Sequence, residues 1–261
     1  MAAPSATAAP SAAPGPQLVS EHACHGGVQR FYRHASQAVG LPMRFSIFLP
    51  PADVFVAASG RLPALVWLAG FWLDATREPW SRHWRMESWL GELLALLPQQ
   101  FAVDPDRIGL FGHSMGGHGA LTLALRHPGR FRTLSAFAPI CAPMRCPWGL
   151  KAFSGYLGDD RAAWAQHDAC ELMVLQSRPP YPRGILIDQG LADAFLAQQL
   201  HPHFFEVACA QVRQPLTLRR HAAYDHGYYF IKTFMEDHLR FHAQGLGVLP
   251  RGVEAGDGPT F

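Results

Sequence analysis

The sequence predicts an α/β fold with a mainly parallel sheet flanked by helices. Three observations carry this prediction. Short apolar runs of strand character alternate with segments of helical periodicity along the chain. One run, Leu62 to Leu68, is apolar nearly throughout, as expected of a parallel strand buried on both faces. Another, Ile108-Gly109-Leu110-Phe111, feeds Gly112-His113-Ser114-Met115-Gly116 and leaves it with Ala120, Leu121, Leu123, Ala124 and Leu125 at helical spacing. Strand, Gly-x-Ser-x-Gly, helix is the context of a nucleophile elbow: a tight, strained turn with glycines beside the serine, which lifts the hydroxyl above a sheet edge.

Composition bounds the rest. The chain has 261 residues, 49% hydrophobic and 16% charged, enough for a sizeable core in one large domain. A net charge of +2 without a basic stripe points away from nucleic acid. No apolar stretch is long enough to span a bilayer. The five cysteines are odd in number and irregularly spaced, and read as reduced thiols of a cytoplasmic protein. His22, Cys24 and His25 lie close together but read as a polar approach to the first strand, so no metal is expected. No cofactor is expected either.

Taken in order, residues 1–16 read as a disordered tail of Ala, Pro, Ser, Thr and Gly, lacking the apolar segment of a secretory signal. The folded domain is expected over 17–243, with a flexible tail over 244–261. Val28 to Arg33 and Met43 to Leu49 read as strands, the second with Met43, Phe45, Ile47 and Leu49 on one face. After Leu62–Leu68, Trp84 to Leu97 reads as a helix with Trp89, Leu90, Leu93, Leu94 and Leu97 on its apolar side. Asp104-Pro105-Asp106 should turn the chain into the elbow strand. Phe131 to Phe137 reads as a strand, 140–160 as a long loop, and Arg161 to Leu175 as a helix. Gly184 to Ile187 is a strand, Ala194 to Ala210 a helix and Pro215 to Arg219 a strand. Gly227 to His242 is the last helix, with Tyr228, Ile231, Met235 and His238 along one side.

A serine hydroxyl needs a base, and a histidine base needs an acid to orient it. In α/β hydrolases these follow in the order serine, acid, histidine, each on a loop after a strand. Asp193, after Ile185–Ile187, and His226, after Leu216–Leu218, fit that order. Asp188 is a rival acid at the strand end. Asp225 is expected to hold its own loop, and His113 and His118 to be structural. The N–H of Met115, at the start of the elbow helix, is placed to receive an oxyanion.

Five stretches together resemble the S-formylglutathione hydrolases of the esterase D family: FGHSMGGHGAL at 111–121, SAFAPIC at 135–141, CPWGLKAFSGYLG at 146–158, ILIDQG at 185–190 and YDHGYYF at 224–230. The resemblance implies an α/β-hydrolase fold. It also implies a cytoplasmic serine hydrolase that splits S-formylglutathione into formate and glutathione, with Ser114, Asp193 and His226 on the triad positions. A homodimer is common in the family. Trp148, Phe153 and Tyr156 are candidates for the walls of a small acyl pocket. The chain departs from the family after Gly70, where a loop, a helix, a parallel strand and a long connection are absent; Phe71 to Trp80 follow directly. The sheet is therefore expected to be shorter by one strand and one helix. Either it closes over the gap or it leaves two open edges. The absent loop would also carry the second oxyanion donor. The alternatives are a general carboxylesterase for small esters, or a binding relative impaired by the loss of that loop.

Overall fold

A computed structural model describes residues 15–51 and 60–248. The expected terminal tails lie outside the described residues except for 15–16 and 244–248, and the last helix runs on to Gly245.

Five strands form a parallel sheet in chain order: β4 (Leu62–Leu68), β5 (Val103–His113), β6 (Thr133–Phe137), β7 (Ile185–Gly190) and β8 (Leu216–His221). Register is continuous across the centre, with Leu68 beside Gly112, Gly112 beside Ala136, and Phe137 beside Asp188. Side chains alternate between the faces of a strand, and here the alternation sorts the core. Leu110, Leu134 and Ala136 pack with α1 (Met86–Gln100) and α2 (Met115–Arg126). Phe111 and Phe137 pack against Phe230 and Ile231 of the last helix. The apolar side read for α1 is the buried one: Trp89, Leu90, Leu93, Leu94 and Leu97.

The other strands, β1 (Gln17–Cys24), β2 (Gly27–Ala35) and β3 (Pro42–Leu49), form a separate antiparallel sheet. Residues alternate along β3 as expected, with Met43, Phe45, Ile47 and Leu49 turned inward. The sheet is tied to α1 through Glu92, which accepts from His34 Nε2 (2.9 Å), Ser36 Oγ (2.7 Å) and the N–H groups of Gln37 and Ala38. Among the described residues the strands fall into two separate sheets. Among the described residues β3 and β4 each end a sheet. β4, read as fully buried, is therefore an edge strand: Leu62 to Val66 are half-buried and Trp67 is exposed.

Several expectations are corrected. The polar stretch around His22 and Cys24 is a strand; β1 is nearly all exposed and lacks the apolar face that would mark it. Asp104-Pro105-Asp106 lies within β5. Much of 140–160 is helical, as α3 (Pro147–Tyr156), because Pro147 takes the first helical position, where its missing N–H costs nothing, and Cys146 Sγ caps Gly149 N. The stretch 161–175 breaks into α4 (Arg161–Ala165) and α5 (Ala169–Val174), each restarted by an aspartate cap, Asp160 and Asp168. The stretch 194–210 divides into a π-helical turn (Leu196–Leu200) and α6 (Pro202–Gln211), separated at His201 by a left-handed residue before Pro202. The last helix, α7 (Tyr228–Gly245), buries Ile231 and His238 but leaves Tyr228 85% exposed.

Candidate active site

Ser114 sits between β5 and α2 at φ 56°, ψ −116°, a conformation that costs a non-glycine residue about 1–3 kcal/mol. The turn is held by Ser114 N–H to Phe137 O (3.0 Å) and by the N–H groups of His118 (2.9 Å) and Ile140 (3.3 Å) to Ser114 O. Its flanking glycines are there for space. A Cβ on Gly116 would lie 1.9 Å from Leu68 O, and one on Gly112 would lie 2.5 Å from Gly116 O. The C-terminal end of β4 thus abuts the first turn of α2, whose first residue is Met115. The N–H groups at the start of a helix, unpaired within it, favour negative charge.

Asp193 and His226 lie on the loops after β7 and β8, and the structure joins them. His226 Nδ1 meets Asp193 Oδ2 at 2.6 Å. The two loops are also bound through their backbones, Ala192 N–H to Tyr224 O at 3.0 Å. The Asp193 carboxylate further accepts from Phe195 N–H (2.8 Å) and Gln189 Nε2 (3.3 Å). Burial would raise its pKa; the bonds from His226, Phe195 and Gln189 outweigh burial and hold it below the usual carboxylate value. Phe195 stands edge-on to the His226 ring at 5.1 Å. Neither Gln189 nor Phe195 was singled out by sequence, since each acts through a partner that only the fold supplies.

Asp188 has another occupation. Fully buried, it receives Arg219 Nε and Nη2 at 2.6 Å each and His238 Nε2 at 3.2 Å; His221 Nε2 lies 3.2 Å from Oδ1 without hydrogen-bonding it. His238 Nδ1 continues to Ser135 Oγ (2.7 Å), and His242 bridges Ser135 and Thr133. This is an internal brace between α7 and β6–β8. Burial works against the Asp188 charge, but His238 and Arg219 keep it well below the carboxylate range. Asp225 accepts from Gly227 N–H at 2.8 Å and so holds its own loop. His118 is fully buried, with Nε2 to His167 O at 2.8 Å, and burial lowers it to about 4. His113 packs against His226, with ring centroids 4.3 Å apart.

The three candidate wall residues part company. Trp148, 37% exposed, packs on Phe195 at 4.8 Å and so borders the site. Phe153 is 0% exposed, against Trp164 and His118; it faces inward from α3 and offers no wall, which corrects the expectation from sequence. Tyr156 belongs to an aromatic cluster with Trp80 and Trp84 at the far end of the same helix. Among the described residues no group of three His, Cys, Asp or Glu side chains could hold a metal, and no helix is long and apolar enough to cross a membrane.

Residues 28–241 match the family described as "Putative esterase". The chain is 40% identical to the S-formylglutathione hydrolases of Rattus norvegicus and Mus musculus, in alignments covering 87% of this chain and 98% of each relative. The rat alignment runs over 281 residues, longer than this chain itself, so the relative carries a stretch with no counterpart here. Among solved structures, an S-formylglutathione hydrolase from Agrobacterium tumefaciens superposes with a TM-score of 0.83 at 38% identity, covering 88% of this chain and all of that one. The chain belongs to the esterase family, within its S-formylglutathione hydrolase group.

Proposed function

We propose that the chain hydrolyses S-formylglutathione to formate and glutathione through a Ser114–Asp193–His226 triad. The observation that carries this reading is the 2.6 Å bond between Asp193 Oδ2 and His226 Nδ1 beside a strained serine elbow, in a chain 40% identical to two S-formylglutathione hydrolases. With Nδ1 held by the carboxylate, Nε2 is the basic nitrogen. It takes the Ser114 proton as Oγ bonds to the thioester carbon. The tetrahedral oxyanion falls to the N–H of Met115. We assign its second donor to the backbone of Ala69–Gly70–Phe71, where Gly70 (φ +86°) turns the chain away from β4 beside the elbow. The C–S bond then breaks, His226 returns the proton to the sulfur, and glutathione leaves. Water, deprotonated by His226, attacks the formyl ester and releases formate and Ser114. Trp148 and Phe195 are the side chains of this reading that border the acyl group. The partner is a small molecule, and the five cysteines, all free, fit a reducing cytoplasm.

The test is turnover by the purified chain, with Ser114→Ala as control. Its kcat/KM for S-formylglutathione is expected to exceed that for a p-nitrophenyl ester. The reverse order would make it a general carboxylesterase. Binding of the thioester without turnover, and without labelling of Ser114 by a fluorophosphonate, would make it a non-catalytic relative.

A further inference from the structure

After β4 the chain turns at Gly70 and lies along the elbow helix α2, held there at several points. A Cβ on Gly116 would lie 3.0 Å from Ala69 Cα, so Ala69 sits against the first turn of α2. Phe71 stands edge-on to the ring of His118, with centroids 5.1 Å apart. Trp72 is buried and reaches one turn further: a Cβ on Gly119 would lie 2.7 Å from Trp72 Cδ1. From there its indole Nε1–H donates to Ala69 O at 3.0 Å, which closes the four-residue turn through a side chain. Gly119 lies three residues, or about 4.5 Å, further along the helix axis than Gly116. The bond therefore draws the Ala69 carbonyl along α2, away from Ser114. The Ala69–Gly70 peptide is trans, and in a trans peptide C=O and N–H point in opposite directions. Gly70 N–H is thereby turned back toward the start of the helix. Neither Gly70 N–H nor Phe71 N–H has an acceptor among the described residues, and a Cβ on Gly70 would meet nothing within 4 Å. Packing against α2 explains a large ring at position 72. The placement of its one polar atom on Ala69 O gives that ring a second effect.

We propose that Trp72 is a positioning residue for the second oxyanion donor: through Ala69 O it fixes the peptide after β4, so that the unpaired N–H groups of the turn face the oxyanion beside Met115. The inference rests on the assignment of that donor to Ala69–Gly70–Phe71, and adds what aims it.

Three variants of the full chain separate the indole N–H from the packing. Trp72→Phe keeps a ring without the donor. Trp72→benzothienylalanine keeps the bicyclic shape with sulfur in place of the N–H. Gly70→Ala disturbs the turn itself, because alanine is strained at φ +86°. The readouts are kcat and KM for S-formylglutathione and for p-nitrophenyl acetate, the inhibition constant of butylthio-trifluoropropanone, and the thermal midpoint. The ketone adds to Ser114 and places an oxyanion where the transition state has one, so its affinity reports the donors rather than general stability. Losing one oxyanion donor costs about 10²–10³ in kcat. All three variants are expected to lose about 10²-fold in kcat with KM nearly unchanged, and to bind the ketone more weakly by the same factor. Wild-type kcat and ketone affinity in the benzothienylalanine variant would overturn the proposal, whatever Trp72→Phe does. So would a loss of kcat without a loss of ketone affinity, or a change confined to KM. Should Trp72→Phe not fold, the benzothienylalanine variant alone decides. If Gly70→Ala weakens the ketone and the Trp72 variants do not, the donor assignment stands and the Trp72 proposal fails. If wild type turns over and none of the three variants changes either quantity, both fail. If wild type cleaves the p-nitrophenyl ester but not S-formylglutathione, the substrate assignment fails while the variants still test Trp72 on the ester.

Discussion

Two buried aspartates five residues apart, Asp188 and Asp193, should separate stability from catalysis when each is changed to Asn. Asp188 is fully buried and faces Arg219 through two 2.6 Å bonds, with His238 at 3.2 Å. Breaking a buried ion pair costs about 3–5 kcal/mol, because the abandoned partner stays desolvated. The Arg219 side chain is 31% exposed and also reaches Asp237 at 2.6 Å, so water and Asp237 recover part of this. The expected loss for Asp188→Asn is therefore at the low end, ~3 kcal/mol. Asp193→Asn keeps the shape and an acceptor for Phe195 N–H and should cost ~1 kcal/mol in stability. It can no longer hold His226 in the tautomer that leaves Nε2 basic, and an equivalent change in a serine protease lowers kcat by about 10⁴-fold. Urea unfolding followed by tryptophan fluorescence, with steady-state kinetics on the same samples, reads both quantities. A folded, stable Asp188→Asn that loses about 10⁴ in kcat, beside a mildly affected Asp193→Asn, would move the acid to Asp188 and refute the assignment.

Other consequences follow from the same contacts. Ser114→Gly relieves the positive φ and should gain ~1 kcal/mol in unfolding free energy while abolishing turnover; a loss of stability would show that the elbow is unstrained. Gly116→Ala puts a methyl group on Leu68 O and should cost at least ~3 kcal/mol, seen as a lowered thermal midpoint or loss of soluble protein. Glu92→Ala leaves His34 and the backbone of Gln37 and Ala38 without their acceptor, and should cost ~2–3 kcal/mol with earlier proteolytic cleavage near β3. His118 and His242 are fully buried and lowered to about 4 and about 3 by burial. Each is neutral when folded and takes up a proton when unfolded below pH 6.5, so stability falls as pH drops from 6.5 toward the folded values. By pH 5 the loss is up to ~2 kcal/mol for each of the two; a flat unfolding free energy between pH 7 and 5 would contradict this.

The parallel sheet, the elbow and the pair Asp193–His226 were legible because each rests on local order: an apolar run, glycines around a serine, and loops following strands in a set sequence. What escaped was decided by contact across the fold. β1 has no apolar face, so only its ladder with β2 makes it a strand. Pro147 looked like a loop residue, and becomes a helix start because Cys146 caps the turn behind it. β4 reads as a strand buried on both faces from its composition. It stands at an edge because the sheet divides between β3 and β4 among the described residues, which no window of sequence can report. Phe153 carries the same aromatic signal as Trp148; helical phase alone turns one inward and leaves the other at the site. Asp188 and Asp193 could be ranked only by loop order until Arg219 and His238 were found around the first and His226 on the second.

The measurement that tests the central claim most directly is hydrolysis of S-formylglutathione by the 261-residue chain beside its Ser114→Ala variant, with both proteins shown to be folded. Turnover that disappears in the variant is the predicted result, and it would show that the two-sheet fold still supports a working oxyanion site. A folded wild-type chain that releases no formate, and whose serine is not labelled by a fluorophosphonate, would contradict the account: the elbow, the acid and the histidine would then be present without being sufficient.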